Sequence, residues 1–107
     1  ALIDYDREMA LVAVYKERII GVSRYITNPD QSSCEFSLVV ADAFSGQGLG
    51  SRLMESIMAV ARERGLSEIM GLVLTNNDGM LRLMRSLGFA IKPYADDPDF
   101  RLVSHPL

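Results

Sequence analysis

Hydrophobic and polar positions divide the chain into short segments of two periods. From Glu8 to Tyr15 the run is rich in alanine, valine and leucine and almost wholly apolar, which reads as a buried strand. Lys16-Glu17-Arg18 is a tight polar turn, and Ile19 to Ile26 is a second strand, so the two are predicted to form a hairpin. Asn28 to Ser33 is a loop by composition, and Cys34 to Val40 returns to strand. The period then changes. Leu49, Leu53, Ile57, Val60 and Ala61 recur at three- and four-residue steps, with Arg52, Glu55, Arg62 and Glu63 on other faces, and Gly65 follows as a stop. Ile69 to Leu74 is a short apolar strand. Asn76-Asn77-Asp78 offers N-caps for a second helix carrying Met80, Leu83, Met84 and Leu87, ended by Gly88. Phe89 to Tyr94 and Phe100 to Ser104 read as two last strands around an acidic loop. The order strand, strand, strand, helix, strand, helix, strand, strand predicts an α/β or α+β layer with a mixed sheet.

One junction carries chemistry. A strand ending at Val40 is followed by Ser45-Gly46-Gln47-Gly48-Leu49-Gly50 and then at once by a helix. Alternating glycines let several backbone N–H groups converge with no Cβ in the way. The helix start adds unpaired donors and the positive end of its dipole. Together they predict a phosphate site rather than a plain connector. Two familiar phosphate motifs fail on residues. A Walker loop needs Gly-Lys-Ser/Thr, but Gly50 is followed by Ser51-Arg52. A dinucleotide fingerprint counted from Gly46 needs glycine at Ser51 and an acid at the end of the next strand, where Glu68 stands at its start.

Bulk properties narrow the partners. The 107 residues fit one domain, expected here to span 1–107 and to be part of a longer protein, because the strand pattern begins within a few residues of Ala1. A net charge of -3, with scattered cations, argues against a nucleic-acid surface. No apolar stretch is long enough to span a membrane, and no signal-peptide pattern is seen. The single cysteine excludes an internal disulfide and suits a reducing compartment, so a cytoplasmic setting is expected. One histidine and one cysteine argue against a zinc site, and no metal is expected.

Two segments resemble the signatures of the GNAT N-acetyltransferase superfamily. Val39-Val40 with Gln47-Gly48-Leu49-Gly50-Ser51-Arg52-Leu53-Met54 looks like its motif A, Gln/Arg-x-x-Gly-x-Gly/Ala. Asn77 to Phe89 resembles its second signature, an asparagine followed by Met80, Leu83 and then Leu87-Gly88-Phe89. The resemblance implies a largely antiparallel mixed sheet flanked by helices, with a splayed parallel pair of strands ending near Val40 and Leu74, and with the first strand and helices of the fold possibly absent. Acetyl-CoA would lie in the gap. Leu38, Val39 and Val40 would meet its thioester end through backbone groups. Ser45, Gly46, Gln47, Gly48, Leu49, Gly50 and Ser51 would wrap the pyrophosphate. Asn77 or Asn76 would bond the pantetheine, and Met80 would pack beside it. The segments around Asp4 to Ala13 and Glu35 to Val40, with Asp42, are further similar to bacterial Pat-type protein lysine acetyltransferases. That implies a protein substrate with a reactive lysine. A small-molecule amine, or no catalysis at all in a regulatory acyl-CoA-binding domain, are the other readings.

Two positions depart from the family pattern. Ser45 stands where motif A has Gln or Arg. Met84 stands where many members place a tyrosine acid, and a thioether cannot donate a proton.

A lysine ammonium with a pKa near ~10.4 is neutral in only roughly one copy in a few thousand at pH 7, so its acetylation needs a base. Glu35, a lone acid inside an apolar strand, is the expected base, with an edge-strand glutamate facing solvent, or one paired with Arg24 on the neighbouring strand, as the plainer reading. Glu8 sits near a strand start, where charges are ordinary, and a second-acid role stays open. Cys34 reads as an inert buried thiol, because His105 lies at the far end of the chain. Arg52, Arg82 and Arg85 are solvated helix positions that could reach a nucleotide phosphate. The acidic loop Asp96-Asp97-Asp99 is by default a solvated turn, with attraction of a lysine-bearing protein as its functional reading.

Overall fold

The computed structural model describes residues 7–107. The similarity noted at Asp4, Tyr5 and Asp6 therefore lies outside the described residues. Six strands and two α-helices follow in the order β1 (Glu8–Tyr15), β2 (Arg18–Thr27), β3 (Ser33–Val40), α1 (Leu49–Glu63), β4 (Glu68–Leu74), α2 (Asp78–Ser86), β5 (Ala90–Pro93) and β6 (Phe100–Pro106), with a 3-10 turn at Asp42–Phe44. They form one sheet in the order β1-β2-β3-β4-β6-β5. Every pairing is antiparallel except β3 with β4.

The parallel pair is short. Only Ser33, Cys34 and Glu35 pair with Glu68, Ile69 and Met70. Beyond Glu35 both strands continue, β3 to Val40 and β4 to Leu74, without facing each other. The sheet is therefore forked from Phe36 and Gly71 onward. The Phe36 ring lies where a side chain on residue 71 would stand, with its Cε1 2.6 Å from the position of a Cβ there. Phe36 also meets the Phe89 ring edge-on, at 5.7 Å between centroids.

Both helices contribute to one core cluster. Met54, Ile57, Met58 and Ala61 of α1 and Leu81 and Met84 of α2 are buried in it, together with Tyr25, Cys34, Phe36, Ile69 and Val103 of the strands, and Leu53 of α1 is buried outside it. The predicted stripe of α1 omitted Met54 and Met58, which widen it to the arc expected of a helix lying on a sheet. Ends follow local chemistry. Asn77 caps α2 by accepting from the Met80 N–H at 3.1 Å, and Gly88 at φ 86° follows its last turn. The Tyr15–Arg18 hairpin closes through Lys16 and Glu17, both with positive φ, as a two-residue turn matched to strand twist requires.

β1 is not the buried strand its composition predicts. It is the sheet edge, and its residues alternate between half-buried and exposed, with Val12 52% and Val14 59% accessible. Apolar content fixes a strand's type but not its place in the sheet. On the face turned away from the core, Glu8, Ile26, Glu35, Met70, Ser104 and Ala90 stand in one row across all six strands.

Cys34 is fully buried, and burial pushes its thiol up to about 11. The folded state thus holds the proton that an unfolded thiol releases near pH ~8.5, so this group makes stability fall as pH rises from about 8.5 toward 11. Alkylation by iodoacetamide at pH 8 is expected to be negligible in the native protein and complete in denaturant. Fast native labelling would show the thiol open. Gly71→Ala should lower stability by about 1–3 kcal/mol, because the new methyl meets an aromatic ring rather than a flexible chain end. The shift of the urea midpoint measures it, and an unmoved midpoint would mean that the Phe36 ring has slack.

Candidate functional site

The fork and the turn before α1 open into a single cleft of about 780 Å³. Of the residues singled out in the sequence, Leu38, Val39, Val40, Ser45, Gly46, Gly48, Gly50, Ser51, Asn77 and Met80 line it. Gln47, Leu49, Asn76 and Glu35 do not. The Gln47 amide folds back to donate to the Ala43 carbonyl at 3.4 Å. Leu49 is half-buried, and Asn76 is exposed just ahead of the cap residue Asn77.

The local backbone explains the cradle. The 3-10 turn carries the chain off β3, and its Phe44 packs edge-on against Tyr15 at 5.5 Å, anchoring the turn to the β1–β2 hairpin. Gly46 and Gly48 then both take positive φ, 78° and 82°. Gly48 occupies the N-cap position of α1, so no side chain is there to cap it. The first helical bond runs from the Arg52 N–H to the Gly48 carbonyl at 3.1 Å. The N–H groups of Leu49, Gly50 and Ser51 precede that bond and cannot be satisfied within the helix. The first turn of α1 also holds no acidic residue. α2 shows the opposite arrangement, with a capping Asn77 and Asp78 in its first turn. An anion is thus favoured at α1, and α2 is already supplied. Gly50 serves close packing: a Cβ there would stand 3.1 Å from Leu83 Cδ2 and 3.7 Å from Leu38 Cδ2. Its absence lets the α1 terminus sit between α2 and β3.

The second wall is backbone. Past Glu35 the β3 edge that faces β4 has no strand partner. Alternate N–H and C=O groups along Leu38 to Val40 therefore point into the gap, able to pair with an extended polar chain.

Glu35 lies on the face away from the helices, exposed, at the base of the fork. It is three residues from Leu38, about 10 Å along the strand. Arg24 stands opposite Ser37, diagonal to Glu35, and no ion pair joins the two among the described residues. Glu8 shares Glu35's row, with Ile26 between them, roughly 10 Å away across two strand spacings. Met84 is fully buried in the core and does not line the cleft. Cys34 is enclosed, and His105 packs beside Phe89 at 5.2 Å. Among the described residues no group of three or more histidine, cysteine or acidic side chains could hold a metal ion. Nor is any helix among them long and apolar enough to cross a membrane.

Several site residues were not singled out by sequence reasoning. Phe44, Gly79, Leu83 and Ser86 line the cleft, and so do Asp42 and Arg82, which had been noted only in passing. Tyr94, in the turn after β5, has its phenol raised, first by the Asp96 carboxylate, then by burial and by the more distant charges of Glu35 and Asp97. Sequence held no sign of these charge interactions, because they join residues far apart in the chain.

Known proteins repeat this architecture. The family described as Acetyltransferase (GNAT) matches residues 1–89. An acetyltransferase of Pseudomonas aeruginosa is 34% identical over 99 residues, covering 89% of this chain and 53% of the relative, so the chain spans about half the length of that relative. The crystal structure of the GNAT domain of S. lividans PAT superposes with a TM-score of 0.89 at 26% identity, over 99% of this chain and 64% of that one. A GNAT family acetyltransferase from Elizabethkingia anophelis, solved with acetyl-CoA bound, shares the fold with a TM-score of 0.80 at 21% identity, over 96% of this chain and 78% of that one. With a forked parallel pair, an uncapped glycine-led helix at its mouth, and a family match over most of its length, this chain belongs to the GNAT family of acetyltransferases.

Proposed function

We propose that this domain binds acetyl-CoA in the fork and transfers its acetyl group to the ε-amine of a protein lysine by direct attack, with Glu35 as general base. The observation that carries the first half is the α1 terminus. It offers three N–H groups unsatisfied within the helix, a left-handed glycine in place of a capping side chain, and no carboxylate in its first turn, with Gly48, Gly50 and Ser51 lining the cleft. Those features fit a diphosphate. The Leu49, Gly50 and Ser51 amides would take its oxygens, with Ser45, Gly46 and Gly48 closing around them. The free edge of β3 at Leu38, Val39 and Val40 would bond the amides of the pantetheine as a missing strand does. Asn77 and Met80 would flank that arm from α2.

When bound, acetyl-CoA supplies an activated acyl thioester. The chain's own residues do the rest. A backbone N–H near Val40 would polarise the carbonyl, in a place where water is partly excluded. Glu35 would accept the ammonium proton of the incoming amine, through water given its distance from Leu38, so that the nitrogen lone pair can attack the thioester carbonyl; the C–S bond then breaks, coenzyme A leaves as its thiolate, and the proton lost by the new amide nitrogen reaches that thiolate through solvent water. The lysine acceptor is supported by the similarity to the PAT domain and by the acidic turn Asp96-Asp97-Asp99 on the acceptor side.

Labelled acetyl-CoA given to the full-length protein with either a protein substrate or a panel of small amines tests the acceptor. Label is expected in protein lysine and is expected to fall about 10²–10⁴-fold in Glu35→Gln, the range for removing a general base. Label in small amines alone, or coenzyme binding without transfer to anything, would overturn the lysine assignment. Gly48→Glu places a charge in the cradle and a side chain at φ 82°; it is expected to abolish coenzyme binding measured by calorimetry. An unchanged affinity in that variant would refute the cradle.

A further inference from the structure

The cradle at α1 satisfies one anionic group, whereas coenzyme A carries two: the diphosphate and a separate phosphate on its ribose. Two ionic side chains line the cleft among the described residues, Asp42 and Arg82. Asp42 precedes the cradle and opposes an anion. Arg82 is the cation. Arg52 and Arg85, its neighbours on the two helices, do not reach the cleft. Arg82 is exposed on the second turn of α2, with Ser86 one turn further along the same side. Two other polar groups at the α2 side of the cleft already have partners within the helix. The Ser86 hydroxyl donates to the Leu83 carbonyl at 2.7 Å, and the Asn77 oxygen accepts from Met80 N–H. No ion pair occupies Arg82 among the described residues. Its guanidinium is therefore the one charged donor available to a second phosphate, and its planar fork matches phosphate oxygens two at a time.

We infer that Arg82 binds the ribose 3′-phosphate and so makes this domain select coenzyme A over its 3′-dephospho form. The ligand's charge would be divided between two devices. Backbone dipoles at α1 hold the diphosphate without any side-chain charge. Arg82, on the neighbouring helix, meets the phosphate that lies beyond the reach of those amides. Arg82 lies five residues past Asn77, about 7.5 Å along the helix axis from the part that flanks the pantetheine. One helix would thus read two parts of the coenzyme at different turns. The inference rests on the cradle reading above.

Calorimetry of the full-length protein with coenzyme A and with 3′-dephospho-coenzyme A, for wild type and Arg82→Ala, separates the two ideas. The expected result is that wild type binds coenzyme A roughly ten- to a hundredfold more tightly than the dephospho form, the range for one charge-assisted contact. Arg82→Ala should erase that preference, weakening coenzyme A by the same factor and the dephospho form by less than about threefold. Arg82→Lys should keep part of the preference, because charge remains but the fork is lost. Equal loss for both ligands would place Arg82 on the diphosphate and overturn the inference while sparing the cradle. No preference in wild type, or no effect of the substitution, would also overturn it. If wild type bound neither ligand, the cradle itself would fall. Arg82 is exposed, so the variants should fold, and matching melting curves confirm that binding is what changed.

Discussion

The site depends on β3 and β4 being parallel neighbours for only three residue pairs. A parallel pair that stayed together to its ends would satisfy its own backbone and leave no gap. Here the Phe36 ring occupies the space above Gly71 just where pairing stops, and the strands diverge past it. The aromatic contact of Phe36 with Phe89 ties that wedge to the end of α2. Core packing on one side of the sheet is thereby connected to an open backbone edge at its mouth. The α1 terminus sits at that mouth because Gly50 lets it approach Leu83 and Leu38 closely.

Much of this was legible in the sequence, and the failures are instructive. α1 was readable because a 3.6-residue period survives any tertiary arrangement. The glycine-led start of α1 was readable because glycines packed this densely ahead of an amphipathic helix mark a turn that needs positive φ. β1 was misjudged, since its apolar run carries no information about whether a neighbour lies on one side or two. The 3-10 turn at Asp42–Phe44 was missed because three residues leave no period to detect. Asn76 and Asn77 were equivalent by composition. Only the cap geometry distinguishes them, giving Asn77 both the helix and the cleft.

The surroundings of Glu35 were the least legible. Glu35 stood out as a lone acid in an apolar strand, but its neighbours come from strand order. β6 inserts between β4 and β5, so Tyr94, in the turn after β5, stands three strands from β3 and meets Glu35 only through a long-range charge interaction. Nothing local to Tyr94 announces that. Arg82 was one of three equivalent-looking helix cations until the packing angle of α2 turned it alone toward the cleft.

The bare terminus of α1 has a thermodynamic corollary. A helix without its own cap frays more readily than one that has it, by about 1 kcal/mol for a typical capping side chain. Whatever anion settles on Leu49, Gly50 and Ser51 supplies the missing acceptors from outside the chain. Saturation of the pocket and rigidity of that first turn are then linked quantities, each rising with the other. Amide exchange at those residues would record how full the pocket is, without any view of the reaction.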